Sequence, residues 1–251
     1  MKFIQSPSNP QAKEWRKLST KKGRDRTGCY LIEGFHLVEE AMAYQEEIVE
    51  LIVREGTVLP TAWAATDLPA SEVSAEVARS ISAAETDQGV FAVCRKRTAM
   101  QPSPEEKKFL LLDAVQDPGN IGTMIRTADA AGLDTVILGS GSGDLYNPKV
   151  IRSAQGSHFH LSIYQGDIAE WITACKEKSI PVYGTALENA SIYTEAQPSD
   201  SFAIIVGNEG KGVSEHILSR TDQNLYIPIY GKSESLNVAV AAGILMYHLR
   251  K

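Results

Sequence analysis

The sequence predicts an α/β protein in two parts: a small N-terminal α/β domain and a larger C-terminal domain built on a mostly parallel sheet. Three observations carry that expectation. Continuous apolar runs at 109–113 and 202–206 have the character of parallel strands buried on both faces. Strand-like and helix-like stretches alternate through both halves. Between the halves, residues 98–106 (TAMQPSPEE) carry two prolines and no apolar period. The expected domains are therefore 1–97 and 107–251, with 98–106 as linker.

In the first half a turn cluster, SPSNP, precedes an expected helix at 11–19. Lys13, Arg16 and Lys17 lie on its neighbouring turns, with Trp15 and Leu18 available for packing. Lys21, Lys22, Arg24 and Arg26 continue the charge into an expected loop. Strands are expected at 30–32, 48–53 and 89–95, and helices at 35–44, 61–66 and 75–81. In the second half, Asp117-Pro118-Gly119-Asn120 reads as a turn ending at an N-cap, Asn120, with helix over 121–131 closed by Gly132. Further strands are expected at 135–138, 158–163, 181–185, 202–206 and 225–227, and helices at 148–155, 167–178 and 213–219. Pro228 ends strand pairing, a polar loop follows, and Ser235 caps a helix over 236–250. That helix is apolar on nearly every face, which predicts burial, and Ala239, Ala242 and Gly243 give it one flat side.

Charge is unevenly placed. The net charge is −6, yet residues 1–28 hold eight Lys/Arg against two Asp/Glu, leaving −12 for the remainder. Such a basic arm either meets phosphates or is a solvated helix, and charge alone does not separate the two. No apolar run approaches the ~20 residues that cross a bilayer, and the first fifteen residues have no signal-peptide core. Three scattered cysteines, Cys29, Cys94 and Cys175, make neither a disulfide framework nor a zinc site, so a reducing cytoplasm is expected. His158 and His160 would share one face of a strand but lack a third ligand, so packing is expected rather than a metal.

Three loops could carry chemistry. The first runs from Asn120 to Arg126. A guanidinium there suits a phosphate, although a lone arginine is more often a surface residue. The second, Gly207-Asn-Glu-Gly-Lys-Gly212, follows an apolar strand and lacks P-loop spacing. Its Glu209 would repel an anion. It suits a cationic ligand, structural bonds to backbone N–H groups, or simply a helix start. The third, Tyr230 to Asn237, leads into the last helix, whose N-terminus offers unpaired N–H groups. Gly139 to Gly143 is only a partial dinucleotide fingerprint, so a nucleotide-dependent oxidoreductase is poorly supported.

The order and spacing of these loops resemble a known family. The stretch 112–129 (LDAVQDPGNIGTMIRTAD) resembles motif 1 of the SpoU/TrmH RNA 2′-O-ribose methyltransferases, of the SPOUT superfamily. Residues 205–212 (IVGNEGKG) resemble motif 2. Residues 227–243, with Ile227-Pro228-Ile229 and the run from Ser235 to Gly243, resemble motif 3. Ala239 stands where many members carry Ser. Residues 1–97 resemble the separate substrate-binding domain of the ribosomal-RNA-type members, similar to the L30e fold.

The resemblance implies more than the residues alone. It implies a C-terminal trefoil knot, S-adenosylmethionine as cofactor and a homodimer packed through the knotted region, which the flat side of the last helix would suit. It implies methyl transfer to a ribose 2′-hydroxyl, with ribosomal RNA favoured over transfer RNA. A catalytically silent RNA-binding protein of the same fold is the alternative. Arg126 matches the catalytic arginine. Asn120, Glu209, Ser235 and Asn237 match the other polar motif residues: Asn120 and Glu209 would orient Arg126 and its loop, and Ser235 and Asn237 the ribose or the cofactor loop. Thr185, Gly207, Ile227 and Leu236 fall at the cofactor contacts. Lys13, Arg16, Lys17, Lys21, Lys22, Arg24 and Arg26 would meet RNA. No metal and no membrane are implied.

Overall fold

The computed structural model describes residues 2–65, 67–97, 103 and 105–251, without the side chains of residues 64 and 65. The chain forms two compact units, Met1–Thr98 with Tyr146–Phe159, and Ala99–Leu145 with His160–Lys251. The expected linker falls largely outside the described residues.

The first unit runs β1 (Lys2–Ile4), α1 (Pro10–Lys17), α2 (Lys21–Thr27), β2 (Cys29–Glu33), α3 (Phe35–Ala43), β3 (Ile48–Arg54), β4 (Ala70–Val73), α4 (Ala75–Ile81) and β5 (Val90–Arg95). Its sheet has the order β1-β4-β3-β5-β2. Only β5 runs antiparallel to its neighbours, β2 and β3. Alternation along β3 sends Leu51 and Val53 into one core cluster and Ile52 into the other, so the sheet is buried on both faces.

Two short strands, β1 and β4, were not expected, because three or four residues show too little alternation to register. The expected charged loop at 21–26 is instead α2. Thr20 caps it by accepting the Gly23 N–H at 3.2 Å, and Gly28 ends it in a left-handed conformation. This helix overturns one RNA-contact assignment. Arg24 is 2% exposed and donates to the Leu18 carbonyl at 2.8 Å, so it ties α2 to the end of α1.

The second unit starts with β6 (Lys108–Asp113), α5 (Pro118–Ala130) and β7 (Thr135–Gly139). The chain then returns to the first unit for α6 (Pro148–Ala154) and enters the turn α7 (Ser157–His160). Asn147 caps α6, while Gln155 and Gly156 in positive φ end it. Ile151 and Phe159 enter the core against Tyr30 and Val38. The strand expected at 158–163 is therefore a helical turn followed by a later strand. His158 and His160 do not alternate on a sheet: His158 is buried, and His160 pairs with Asp129 at 2.8 Å.

The second unit continues with β8 (Ser162–Gly166), α8 (Ile168–Glu177), β9 (Val182–Thr185), β10 (Ser191–Ile192), β11 (Phe202–Gly207), α9 (Glu215–Leu218), β12 (Gln223–Tyr226) and α10 (Val238–Leu249). Its seven strands lie in the order β10-β12-β9-β11-β6-β7-β8, and every pair is parallel. The central strand β11 is buried at all six positions, as its unbroken apolar run requires.

Two helix starts differ from expectation. Asp117, not Asn120, caps α5, with Pro118 at the first helical position. Asn237, not Ser235, caps α10, accepting the Ala239 N–H at 2.9 Å. The last helix is also less buried than its composition predicts. Val240 and Tyr247 are 53% and 54% exposed, whereas Ala239 and Ala242 of the flat side face the chain's own interior.

Candidate active site

The C-terminal ends of four adjacent strands build the site. Gly207 of β11 stands beside Asp113 of β6, and Thr185 of β9 beside Leu225 of β12, just before Ile227. Open parallel sheets hold ligands at this edge. The loops leaving these strands carry all three motifs, so the register alone gathers Thr185, Gly207 and Ile227. Thr185 Oγ1 donates to the Ile205 carbonyl at 3.1 Å. Gly207 is required by packing, since a Cβ there would lie 2.0 Å from the Gly212 carbonyl carbon.

A hydrogen-bond relay joins the loops. Glu209 accepts the Asp117 N–H at 3.0 Å and the Asn120 side-chain amide at 3.1 Å through one oxygen, and the Gln116 N–H at 3.2 Å through the other. Asn120 Oδ1 accepts from Asn237 Nδ2 at 2.9 Å. Asn237 Oδ1 in turn accepts the first N–H groups of α10. Every amide is therefore oriented: donors point toward the Glu209 carboxylate and acceptors toward the helix N-terminus, where the dipole is positive. Burial pushes the Glu209 carboxyl up, but the bonds from Asn120, Asp117 and Gln116 outweigh it and hold the group below its ordinary range. Of the readings open to Glu209, the structural bond to backbone N–H groups is the one observed.

The relay depends on the helix start that sequence reasoning misplaced. Because Asp117 caps α5, the Asn120 side chain is free to reach Glu209 and Asn237. The Asp-Pro pair at 117–118 was the available signal. Two further residues went unremarked. Asp113 accepts both the N–H and the hydroxyl of Ser214, at 2.8 and 2.7 Å. Asn208 donates to the Ala114 carbonyl at 3.0 Å while accepting the Gly210 and Lys211 N–H groups. Both residues pin the glycine loop to the end of β6.

Arg126 stands apart from the relay. It lies six residues past Asn120 on α5, roughly 9 Å along the helix axis at 1.5 Å per residue. Its side chain is exposed and makes no hydrogen bond or ion pair with the described residues. Ser235 likewise sits in the exposed loop, outside the relay, and its carbonyl accepts the Ser233 hydroxyl at 2.8 Å. From Pro228 to Leu236, no main-chain to main-chain hydrogen bond fixes the segment among the described residues. Tyr230 is 93% exposed and Leu236 37%.

Of the basic residues on the first unit, Lys13, Arg16 and Lys22 are exposed and make no ion pair with the described residues. Lys17 and Arg26 both pair with Glu14, and Lys21 with Asp25. The basic arm is thus partly neutralised by its own carboxylates.

A parallel sheet with knitted loops at one edge defines an α/β protein of the ligand-binding open-sheet class. Residues 107–247 match the SpoU rRNA methylase family and residues 9–92 the MRM3-like substrate binding domain. The chain belongs to the SpoU rRNA methylase family. It is 49% identical, over the full length of both chains, to the 23S rRNA (guanosine(2553)-2′-O)-methyltransferase RlmP of Bacillus subtilis (strain 168). It is similar to the crystal structure of an RNA 2′-O ribose methyltransferase, with 33% identity, a TM-score of 0.86, and 98% and 97% of the two chains covered. It is also similar to the AdoMet-bound rRNA methyltransferase of Sinorhizobium meliloti, with 29% identity, a TM-score of 0.89, and 99% and 97% covered.

Proposed function

We propose that this chain, an S-adenosylmethionine-dependent RNA 2′-O-ribose methyltransferase, acts on a guanosine of 23S ribosomal RNA. The observation that carries the choice of RNA is the end-to-end similarity to RlmP, substrate-binding part included. A transfer-RNA substrate has less support, because the similarity to a tRNA-modifying structure spans only 57% of this chain.

The residues present fit the cofactor. Residues 228–236 leave main-chain donors and acceptors without main-chain partners, which suits a ligand gripped by backbone. Thr185, Gly207, Ile227 and Leu236 would hold it at the strand ends. When bound, S-adenosylmethionine supplies an electrophilic sulfonium methyl. The chain must supply the rest. A ribose hydroxyl is a weak nucleophile, so its oxygen needs positioning and its developing charge needs a partner. Arg126 is the group we assign to both tasks, holding the adjacent phosphate and the 2′-oxygen. An arginine does not release its proton, so the proton leaves to a phosphate oxygen or water. Asn120, Glu209 and Asn237 act as positioning residues, since their polar atoms are engaged with one another. Ser235 remains available to the ribose.

Lys13, Arg16 and Lys22 are the cations we assign to RNA phosphates. We assign a homodimer through the exposed α10 residues Val240 and Tyr247 rather than through the flat side. The C-terminal knot implied by the family is supported by the return of α10, after β12, onto α5 and β11. An RNA substrate and three unpaired cysteines point to the cytoplasm, and among the described residues no helix is long and apolar enough to cross a membrane. Labelled methyl transfer into total ribosomal and transfer RNA, followed by mapping of alkali-resistant linkages, tests the proposal. Label confined to transfer RNA, or absent from both, would reject it.

A further inference from the structure

Among the described residues of the second unit, the large apolar side chains left exposed are Leu187, Tyr230, Leu236, Val240 and Tyr247. Val240 and Tyr247 lie on α10, and the other three stand on loops at the C-terminal edge of the sheet. Tyr230 is the extreme case. At 93% exposed it forgoes the burial that an aromatic ring normally gains on folding. Its hydroxyl makes no hydrogen bond among the described residues either. Such a ring contributes almost nothing to the fold.

Its place in the chain indicates what could cover it. Tyr230 follows Ile227 by three residues, so at most roughly 11 Å of extended chain separates them. The far end of the same loop, Asn237, is bonded to Asn120, and Asn120 to Glu209. The ring therefore stands on the loop assigned to the cofactor, tied at its end to the glycine loop. Both loops carry an exposed lysine. Lys211 lies two residues past Glu209 and Lys232 two past Tyr230, and neither makes an ion pair among the described residues. Glu234 is the exposed carboxylate on the Tyr230 loop. Small-molecule sites enclose most of their ligand, and no wall rises around a side chain this exposed. Whatever covers Tyr230 is brought by a macromolecule. A flat ring with lysines on its own and the adjoining loop suits a nucleotide, the base on the ring and the phosphates toward the ammonium groups.

We propose that Tyr230 is the platform on which the base of the methylated nucleotide stacks, so that its ribose is presented at the strand ends. Unpaired, splayed bases are what proteins chiefly read in RNA. A tyrosine ring loses little conformational freedom when it is covered. Stacking accepts any base, since each has a π face. Tyr230 thus contributes affinity and placement rather than the choice of guanine. The proposal rests on RNA being the substrate.

The test uses the full chain and an RNA in which the methylated nucleotide has been mapped. Tyr230→Ala should raise KM for that RNA about tenfold or more. The loss should fall in KM rather than kcat, because a stack made in the ground state is uniform binding. Tyr230→Phe should restore KM, since the hydroxyl is not used, and Tyr230→Leu, apolar but not flat, should not. A second RNA keeps the ribose and its 2′-hydroxyl at the target position but carries no base there. On it the parent and Tyr230→Ala should have equal KM. Cofactor affinity and the urea midpoint should not move. A Tyr230→Ala KM within about twofold of the parent overturns the proposal. So does an effect that survives on the baseless RNA, which would put the stack at another nucleotide. Weakened cofactor binding in Tyr230→Ala overturns it too, by giving the ring to the adenine of S-adenosylmethionine. A Tyr230 effect seen on transfer RNA alone would keep the stack and reject the ribosomal substrate. Ribosomal methylation without the effect would do the reverse, and no transfer to any RNA would reject both.

Discussion

Replacing Arg126 with alanine should separate chemistry from folding. The side chain is exposed on α5 and bonded to nothing among the described residues. Its removal costs no hydrogen bond or ion pair among the described residues, and alanine is the better helix former by a few tenths of a kcal/mol. Unfolding stability should therefore stay within about 0.5 kcal/mol of the parent. The chemical step should suffer far more. Loss of one preorganised group that meets developing charge typically costs 10²–10³ in rate, about 2.7–4 kcal/mol. The assay is single-turnover transfer of labelled methyl from S-adenosylmethionine to a 23S transcript, with cofactor affinity measured by calorimetry and stability by urea. The predicted pattern is unchanged stability, near-normal cofactor binding and a transfer rate lower by about two orders of magnitude or more. Transfer within about fivefold of the parent would refute the assignment, because a charge-stabilising group cannot be worth so little. Parallel loss of cofactor affinity would also refute it, by placing Arg126 in the cofactor's own site.

The geometry makes further predictions. Glu209→Gln leaves an amide donor facing an N–H group, costing roughly 1–2 kcal/mol at this exposed position; a urea titration at neutral pH reads it, and no loss would mean the relay is idle. The Glu209 carboxyl is held below its ordinary value of 4.5 in the folded chain. Its stabilisation is therefore complete above that pH and disappears as pH falls through the lower, folded value. The parent should lose this increment in acid while Glu209→Gln, which has none, shows a flatter profile. Arg24→Ala should lose roughly 1–3 kcal/mol of stability, by stranding the Leu18 carbonyl, and leave RNA affinity per folded molecule unchanged. Alanine at Lys13, Arg16 and Lys22 should do the opposite, with each lost phosphate contact flattening the log–log salt slope by about 0.7–0.9. Finally, a fragment of residues 1–97 lacks Ile151 and Phe159, which are 1% and 4% exposed in the intact chain. At roughly 1.5–3 kcal/mol per buried side chain, it should be markedly less stable than one supplemented with 146–159; equal urea midpoints would show that α6 adds nothing.

Much of this molecule was legible in its residues, and the exceptions have physical causes. The strands of the parallel sheet announced themselves as unbroken apolar runs because both faces are covered. Short edge strands such as β1 and β10 did not, since two or three residues carry no period. The charged stretch 21–27 read as a loop because its helix is held by what local composition does not display: a Thr20 cap, a Gly28 terminator and a buried Arg24. The motif loops were legible as segments, but the partners of their polar residues were not. Asn120 and Asn237 both looked like polar groups awaiting a ligand or a cap, and only the fold reveals that they are bonded to each other across 117 residues. The excursion of α6 into the first unit was invisible for the same reason. Periodicity reports which face of a helix is apolar, not which core it enters.

Nucleoside analysis of the methylated product bears most directly on the central claim. Ribosomal RNA lacking the modification is incubated with the protein and methyl-labelled S-adenosylmethionine, then digested and resolved by mass spectrometry. Label on 2′-O-methylguanosine from the 23S species is the predicted result. Label on a base atom, or on no ribosomal nucleoside at all, would contradict the account.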